Sequence, residues 1–213
     1  MFTKTKTALA KAGLPALAAS ALLLASPASA ELAGLKATSG SYVNDPGHTR
    51  FLWRIDHLGL SNYTARINGV IIELEFDADD VSASTVKAVI DPKTVDTGYV
   101  GDKDFDAEIA TSEKILNAGA YPTIEFESSS VTQTGPDSLA VEGNLTLLGV
   151  TRPVTLNATL SGSTEKHPFV RVPAVGFMAT AVVDRLDFGL DFLSGRGLGD
   201  QIEIEIHSEF IKQ

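Results

Sequence analysis

Cysteine is absent from the 213 residues of this chain. Without it, the chain can form no disulfide, no thiol nucleophile and no thiolate-bound metal site. A folded domain must therefore be stabilised by its apolar core, and a chain of this length can bury a sufficient one.

Positive charge is scarce. The chain has 17 lysines and arginines against 27 aspartates and glutamates, and its formal net charge is −10 at pH 7. Nucleic acids and anionic membrane surfaces are bound by clustered positive charge. The composition therefore predicts neither of them as a partner.

Familiar catalytic and metal-binding motifs are also missing. The histidines are His48, His57, His167 and His207, and they form no HExxH pair and no zinc-ligand spacing. No GxSxG nucleophile motif occurs. The glycine-rich run 195–199 lacks the lysine of a phosphate loop and leads into a predicted strand. We therefore predict no catalytic residue, no metal ligand and no enzyme.

An acidic run over residues 102–113 matches a calcium loop only in part. Asp102, Asp104 and Asp106 fit the first three ligand positions, and Glu113 fits the last. The position that needs glycine for a sharp turn is Ala107. We favour the alternative in which these acids begin a helix over residues 104–117, whose partial positive charge stabilises them.

Residues 1–30 have the pattern of a secretory signal. Lysines come first, an apolar run covers residues 14–25, and Ala28-Ser29-Ala30 follows. The apolar run is too short to cross a bilayer and ends in a small-residue cleavage site. We predict a cleaved signal peptide over 1–30, one mature domain over 31–213, and no membrane span after cleavage.

Alternation of apolar and polar residues dominates the mature chain. Ile124, Phe126 and Leu145 share one parity, while Glu125 and Asn144 share the other. Such alternation is typical of a sheet with one dry face. Because few helices are available to cover that face, we predict an all-β chain whose sheet closes into a barrel. The predicted strands cover about 51–58, 65–76, 85–90, 122–131, 138–148, 153–162, 174–184 and 201–211, with one short helix between the third and fourth. We expect the apolar stripe of this helix, Phe105, Ile109, Ile115 and Leu116, and the helix itself to lie over one opening or edge of the barrel.

Several segments, in order, resemble the YceI-like family of bacterial periplasmic proteins. They are Asp45-Pro46-Gly47-His48-Thr49, residues 57–59, Tyr121-Pro122-Thr123-Ile124-Glu125-Phe126, residues 143–154 (GNLTLLGVTRPV) and Asp187-Phe188-Gly189. The resemblance extends over almost all of residues 41–211. The chain departs from the usual pattern of the family in two places. Residues 109–117 are more acidic than is usual and carry no aromatic residue, and Leu186 replaces a serine or threonine.

The resemblance implies an antiparallel, lipocalin-like barrel of about eight strands in the periplasm. It also implies an elongated apolar pore that holds a polyisoprenoid or another long amphiphile, with the polar head near an opening. Some members are linked to isoprenoid quinones and respiratory electron transfer. His48, His57 and Arg152 fall on motif positions without a role that the motif defines.

Parity and motif position together predict the pore wall. Small inward residues, Ala88, Gly143 and Ala179, leave room beside bulky ones. His57 has the inward parity too, either as a satisfied wall histidine or as a donor to a ligand's polar head. The other predicted ligand-binding residues are apolar: Phe51, Trp53, Ile55, Val70, Ile72, Leu74, Ile124, Phe126, Val141, Leu145, Leu147, Phe177 and Ile204.

These observations favour a periplasmic binding or carrier protein for an isoprenoid-type lipid, either a polyprenyl phosphate or a quinone, with no cofactor beyond that ligand. Two alternatives remain at this point. One is an enzyme that acts on a lipid head group and uses His57 as an acid or base. The other is a filled barrel that acts as a protein-interaction module. The sequence also leaves a homodimer open.

Overall fold

Eight antiparallel strands form a closed barrel in the computed structural model of this chain, which describes residues 1, 3 and 32–213. The predicted all-β barrel with one short α-helix is confirmed. The predicted signal peptide and its cleavage site lie outside the described residues, except for residues 1 and 3. The strands are β1 Gly40–His57, β2 Ser61–Phe76, β3 Thr85–Asp96, β4 Ile124–Gln133, β5 Ser138–Leu147, β6 Val150–Thr164, β7 Ala174–Asp184 and β8 Leu198–Lys212.

Burial follows the alternation of the sequence. In β2, Val70 and Ile72 are buried, whereas Ile71 and Glu73 between and after them are exposed. Each strand pairs with the next one in the chain, and β8 pairs with β1. The closed ladder leaves no unpaired edge and encloses the apolar side chains.

The two ends of the barrel differ in the segments that cover them. Up-and-down connections bring the turn 58–60, the segment 97–123, the turn 148–149 and the segment 185–197 to one end, which we call the mouth end. The turns 77–84, 134–137 and 165–173 lie at the other, the far end, together with the residues that precede β1.

Strand β1 begins earlier than the sequence predicts. The predicted strand starts near residue 51, but Asp45-Pro46-Gly47 already lies in a bulge within β1, where the register with β8 shifts between Asn44 and Thr49. Asn44 compensates for the interrupted ladder: its amide nitrogen donates to the carbonyl of Val70 (3.1 Å), and its oxygen accepts from the amide of Ile72 (2.7 Å). A side-chain amide thus replaces a backbone partner of β2.

The α-helix, α1 Phe105–Thr111, is shorter than the predicted 104–117. Asp104 caps it by accepting a hydrogen bond from the amide of Ala107 (2.9 Å). After Ser112 the chain folds back, and the amide of Leu116 donates to the carbonyl of Ile109 (3.3 Å). Among the described residues, no helix has the length and apolar character that crossing a bilayer requires.

Aromatic side chains fill the far half of the barrel. The ring of Phe76 meets those of Tyr42 and Phe177, with centroids 6.1 and 6.4 Å apart, and Phe177 meets Phe210 at 6.2 Å. These edge-to-face contacts are the favourable geometry for aromatic pairs. The far half is therefore a packed core.

Candidate functional site

An apolar cavity of about 340 Å³ occupies the mouth half of the barrel. Strand residues form the walls of the cavity. Helix α1 and the segments that follow α1 and β7 cover it. Most predicted wall residues line it: Phe51, Trp53, Ile55, His57, Val70, Ile72, Ile124, Phe126, Leu145, Leu147 and Ile204. The structure therefore brings these side chains together around one space, and their contact with a ligand stays a prediction.

Three predicted wall residues do not line the cavity. Leu74 and Val141 are buried in the core, and Phe177 packs between Phe76 and Phe210 in the far half. Parity identifies the face of a strand on which a side chain lies. It does not give the level along the barrel axis, and these three lie at the packed level.

A polar layer separates the cavity from the packed half. Asn44, Thr49 and Ser208 are buried polar residues. The Thr49 hydroxyl accepts a hydrogen bond from the amide of Asn44 (2.9 Å) and lies 2.9 Å from the Ser208 hydroxyl. Along β8, Ser208 falls between Ile206, which lines the cavity, and Phe210, which belongs to the packed half. These polar groups of β1 and β8 therefore lie at a level between the cavity lining and the packed half.

The covering segments supply lining residues that alternation could not identify. The helix stripe of Phe105 and Ile109, with Ile115 and Leu116 after it, was predicted to lie over an opening or an edge of the barrel, and these residues do line the cavity. The second group was missed because its segment is irregular and has no period. That group is Leu190, Phe192 and Leu193.

The small inward residues have different environments. Ala88 lines the cavity. At Gly143, by contrast, an added Cβ would overlap the ring of Phe126 and lie 2.6 Å from the carbonyl oxygen of Glu127. The ring of Phe126, a cavity-wall residue, therefore fills the space beside Gly143. The third small residue, Ala179, is packed against the core.

Buried Arg185 fixes the segment that covers the cavity from the β7 side. Its guanidinium donates to the carbonyls of Gly199 (2.7 Å) and Phe192 (3.0 Å) and to that of Leu190, and it lies 3.3 Å from a carboxylate oxygen of Asp200. The forked donors of arginine match several acceptors at once. One side chain therefore holds both ends of the irregular segment.

Aromatic rings continue from the cavity wall to the mouth surface. Tyr63 lies between Trp53 and Phe105, with centroids 5.8 and 6.3 Å away, and Tyr99 follows at 5.5 Å from Phe105. The hydroxyl oxygen of Tyr63 is buried and has no well-formed hydrogen bond to another described residue. Burial raises its pKa, so this hydroxyl stays protonated.

Charged groups stand at the rim. His57, Glu108 and Lys114 border the cavity and are exposed. Glu108 pairs with Lys103 at 3.6 Å, whereas Lys114 forms no ion pair with a described residue. His57 likewise forms no hydrogen bond or ion pair with a described acid, so the acid–base pair of the enzyme alternative is not formed there. Lys114 is a cation available to a ligand's head group.

The acids of the 102–113 run serve the local fold. Asp104 caps α1, and Asp106 accepts hydrogen bonds from the amide (2.8 Å) and hydroxyl (2.6 Å) of Thr97. Across residues 32–213 there is no group of three histidine or carboxylate side chains arranged to hold a metal ion.

The other histidines do not line the cavity. His48 binds Asp45 (2.8 Å) in the bulge of β1, and His207 binds Glu205 (2.7 Å) on the outer face. The hydrogen bond with Asp45 raises the pKa of His48, and the same bond lowers the pKa of Asp45. The motif residue His48 therefore forms a local hydrogen bond within the bulge.

Comparison with known proteins agrees with this architecture. The profile of the YceI-like domain matches residues 42–210. A UPF0312 protein of Pseudomonas paraeruginosa is 36% identical over 166 residues, which are 78% of this chain and 83% of that protein.

Two solved structures share the fold. Burkholderia cenocepacia BcnA superposes with a TM-score of 0.67 at 18% identity, over 78% of this chain and 98% of that one. A polyisoprenoid binding domain from Saccharophagus degradans superposes with a TM-score of 0.57 at 13% identity, over 82% and 99% of the two chains.

Proposed function

This chain belongs to the YceI-like domain family, and we propose that it is a periplasmic carrier that holds one isoprenoid-type lipid inside its barrel. The observation that carries the proposal is the closed barrel with an apolar cavity of about 340 Å³ in its mouth half. The shared fold with a polyisoprenoid binding domain supports it. Export rests on the signal pattern of residues 1–30.

The tail supplies the affinity. Burial of a hydrocarbon tail gives roughly 0.8 kcal/mol per CH₂ group before ordering costs. The cavity volume of about 340 Å³ is near the lower end of the usual range for ligand sites, about 300–1,000 Å³. Because the polar layer and packed half lie below it, the cavity encloses a short tail or one part of a long tail, with the remainder at the mouth.

The head group then lies at the rim, where Lys114 can meet it. Lys114 offers a positive charge, which suits a phosphate and not a neutral quinone. The contribution of Lys114 to binding therefore distinguishes a prenyl phosphate from a prenyl quinone.

Trp53 provides the assay, because it is the only tryptophan of the chain and lines the cavity. We expect a short-chain prenyl quinone or farnesyl phosphate to change its fluorescence in a saturable, one-to-one manner. Lys114→Gln should weaken phosphate binding about tenfold and leave quinone binding unchanged, as loss of a charge-assisted bond implies. A signal that never saturates with either lipid would contradict the proposal.

Substitutions in the cavity wall test whether the lipid binds inside the cavity. Leu145→Asp places a charge in the cavity and should abolish binding, whereas Asn144→Asp adds the same charge on the exposed face and should not. Ala88→Phe fills the cavity without adding a charge and should also prevent binding. Unchanged affinity in folded Ala88→Phe protein would place the lipid elsewhere.

Native mass spectrometry of the exported protein tests the carrier role. A bound species that extracts into organic solvent, with masses spaced in isoprene steps, is the expected result. Cell fractionation of the same strain should place the processed chain in the periplasm. Cytoplasmic, unprocessed protein would contradict the predicted export.

A further inference from the structure

Exposed apolar side chains are concentrated at the mouth end. Val100, in the segment before α1, is 99% exposed, and Leu60, in the turn after β1, is 83% exposed. Leu58, Tyr99 and Leu193 in the same covering segments are also largely exposed. The outer wall carries only scattered examples, such as Ile71 and Val182. The far end carries one exposed apolar pair, Phe169 and Val170. A group of exposed apolar residues at one end of a domain marks an interaction surface.

Leucines occupy unfavourable backbone positions at this end. Leu58, Leu148 and Leu193 have φ values of 62°, 51° and 55°. This left-handed region favours glycine or asparagine and is costly for a bulky side chain. All three lie in turns or segments of the mouth end. Leu58 thus keeps an exposed apolar side chain there at a conformational cost, whereas Leu148 packs against the core and Leu193 also lines the cavity.

We propose that the mouth end docks on the surface of a zwitterionic lipid bilayer, with the apolar tips inserted among the lipid head groups. This rests on the proposed function in one respect, which is that the cavity exchanges a lipid whose source is a bilayer. The tips surround the mouth of the apolar cavity. Docking therefore lets a tail pass from bilayer to cavity without crossing water, which would expose its apolar area.

The charge of the mouth-end segments indicates which kind of bilayer they can dock on. The segment 97–123 contains five acids and two lysines, and the segment 185–197 contains two acids and two arginines. The mouth end is therefore acidic, and an anionic surface would repel it. Phosphatidylcholine or phosphatidylethanolamine carries no net charge and fits this surface better than phosphatidylglycerol.

Flotation with phosphatidylcholine vesicles tests the docking on the whole purified protein. Leu60→Ser/Val100→Ser should lower the vesicle partition coefficient about tenfold, as lost burial of two aliphatic side chains implies. The matched control is Phe169→Ser/Val170→Ser, which removes exposed apolar residues (85% and 52%) from the far end and should not change partition. Phosphatidylglycerol in the vesicles should weaken docking at low salt.

Leu58→Asn separates docking from folding. Asparagine adopts the left-handed conformation more readily, so this variant should be at least as stable as the parent and yet dock less. Saturable Trp53 fluorescence with a short-chain prenyl quinone should persist in all variants, because the cavity is unchanged. Loss of that signal with intact flotation would refute the proposed function and leave the docking standing.

Three results would overturn the docking proposal. Wild-type protein that stays in the aqueous fraction would do so, as would equal partition of the mouth-end and far-end double variants. The third is a dimer in sedimentation that Leu60→Ser/Val100→Ser dissociates, since a second copy of the chain would then be what covers the mouth-end tips.

Discussion

Gly143→Ala adds a single methyl group where the wall of the cavity has no room for it. The new Cβ would overlap the ring of Phe126 and lie 2.6 Å from the carbonyl oxygen of Glu127. The ring can turn away, but the carbonyl belongs to the paired strand β4 and cannot move freely. Overpacking of this kind costs about 1–3 kcal/mol of unfolding free energy.

Gly162→Ala is the matched control. No atom lies within 4 Å of the Cβ that alanine would add there, and neither glycine has a positive φ. At such a site alanine stabilises by about 0.4–1 kcal/mol, because it restricts the unfolded chain. The two variants therefore differ by roughly 1.4–4 kcal/mol although the chemical change is the same.

Urea unfolding followed by Trp53 fluorescence measures the difference. The midpoint should fall for Gly143→Ala and rise slightly for Gly162→Ala, with the same denaturant slope. Phe126→Leu in the Gly143→Ala background removes the ring and should recover part of the loss, which a double-mutant cycle would show as coupling. Equal stability of the two alanine variants would refute the close packing of Phe126 on Gly143.

Three further predictions concern other contacts. Asn44→Ala should lower the unfolding free energy by roughly 2–4 kcal/mol in urea, because the Val70 carbonyl and the Ile72 amide lose their partner; a neutral result would contradict the role of Asn44 in the bulge. Arg185→Ala should cost about 3 kcal/mol and speed amide hydrogen exchange over residues 189–200, whereas unchanged exchange there would show that another contact holds the segment. The His48–Asp45 pair should stabilise the fold most between about pH 4 and pH 6. As pH rises above this window, His48 loses its proton through its raised pKa and the contribution is lost. As pH falls below the window, Asp45 gains a proton through its lowered pKa and the contribution is lost again. His48→Asn should flatten that profile, and an unchanged profile would contradict the assignment.

Sequence predicted the strands because alternation is a local signal of burial. The helix and its apolar stripe were predicted for the same reason, through a period of 3.6 residues. The bulge of β1 could not be predicted, because Asp45-Pro46-Gly47 has the composition of a turn and the compensating bonds of Asn44 reach β2, far along the chain. The covering role of Arg185 depends on backbone carbonyls, which have no sequence signature.

The depth of the cavity also depends on contacts that alternation does not encode. The inward row of β1 changes parity across the bulge, from Tyr42 and Asn44 to Thr49, and Asn44 and Thr49 form a polar layer there with Ser208. Because the hydrogen-bonding groups of this layer satisfy one another and aromatic rings fill the barrel below, a tail that entered further would have to displace packed side chains. The length of tail enclosed is therefore set by the packed aromatic core, and Ser208→Ala with Thr49→Val, which removes the hydroxyls of the polar layer, should leave that length unchanged.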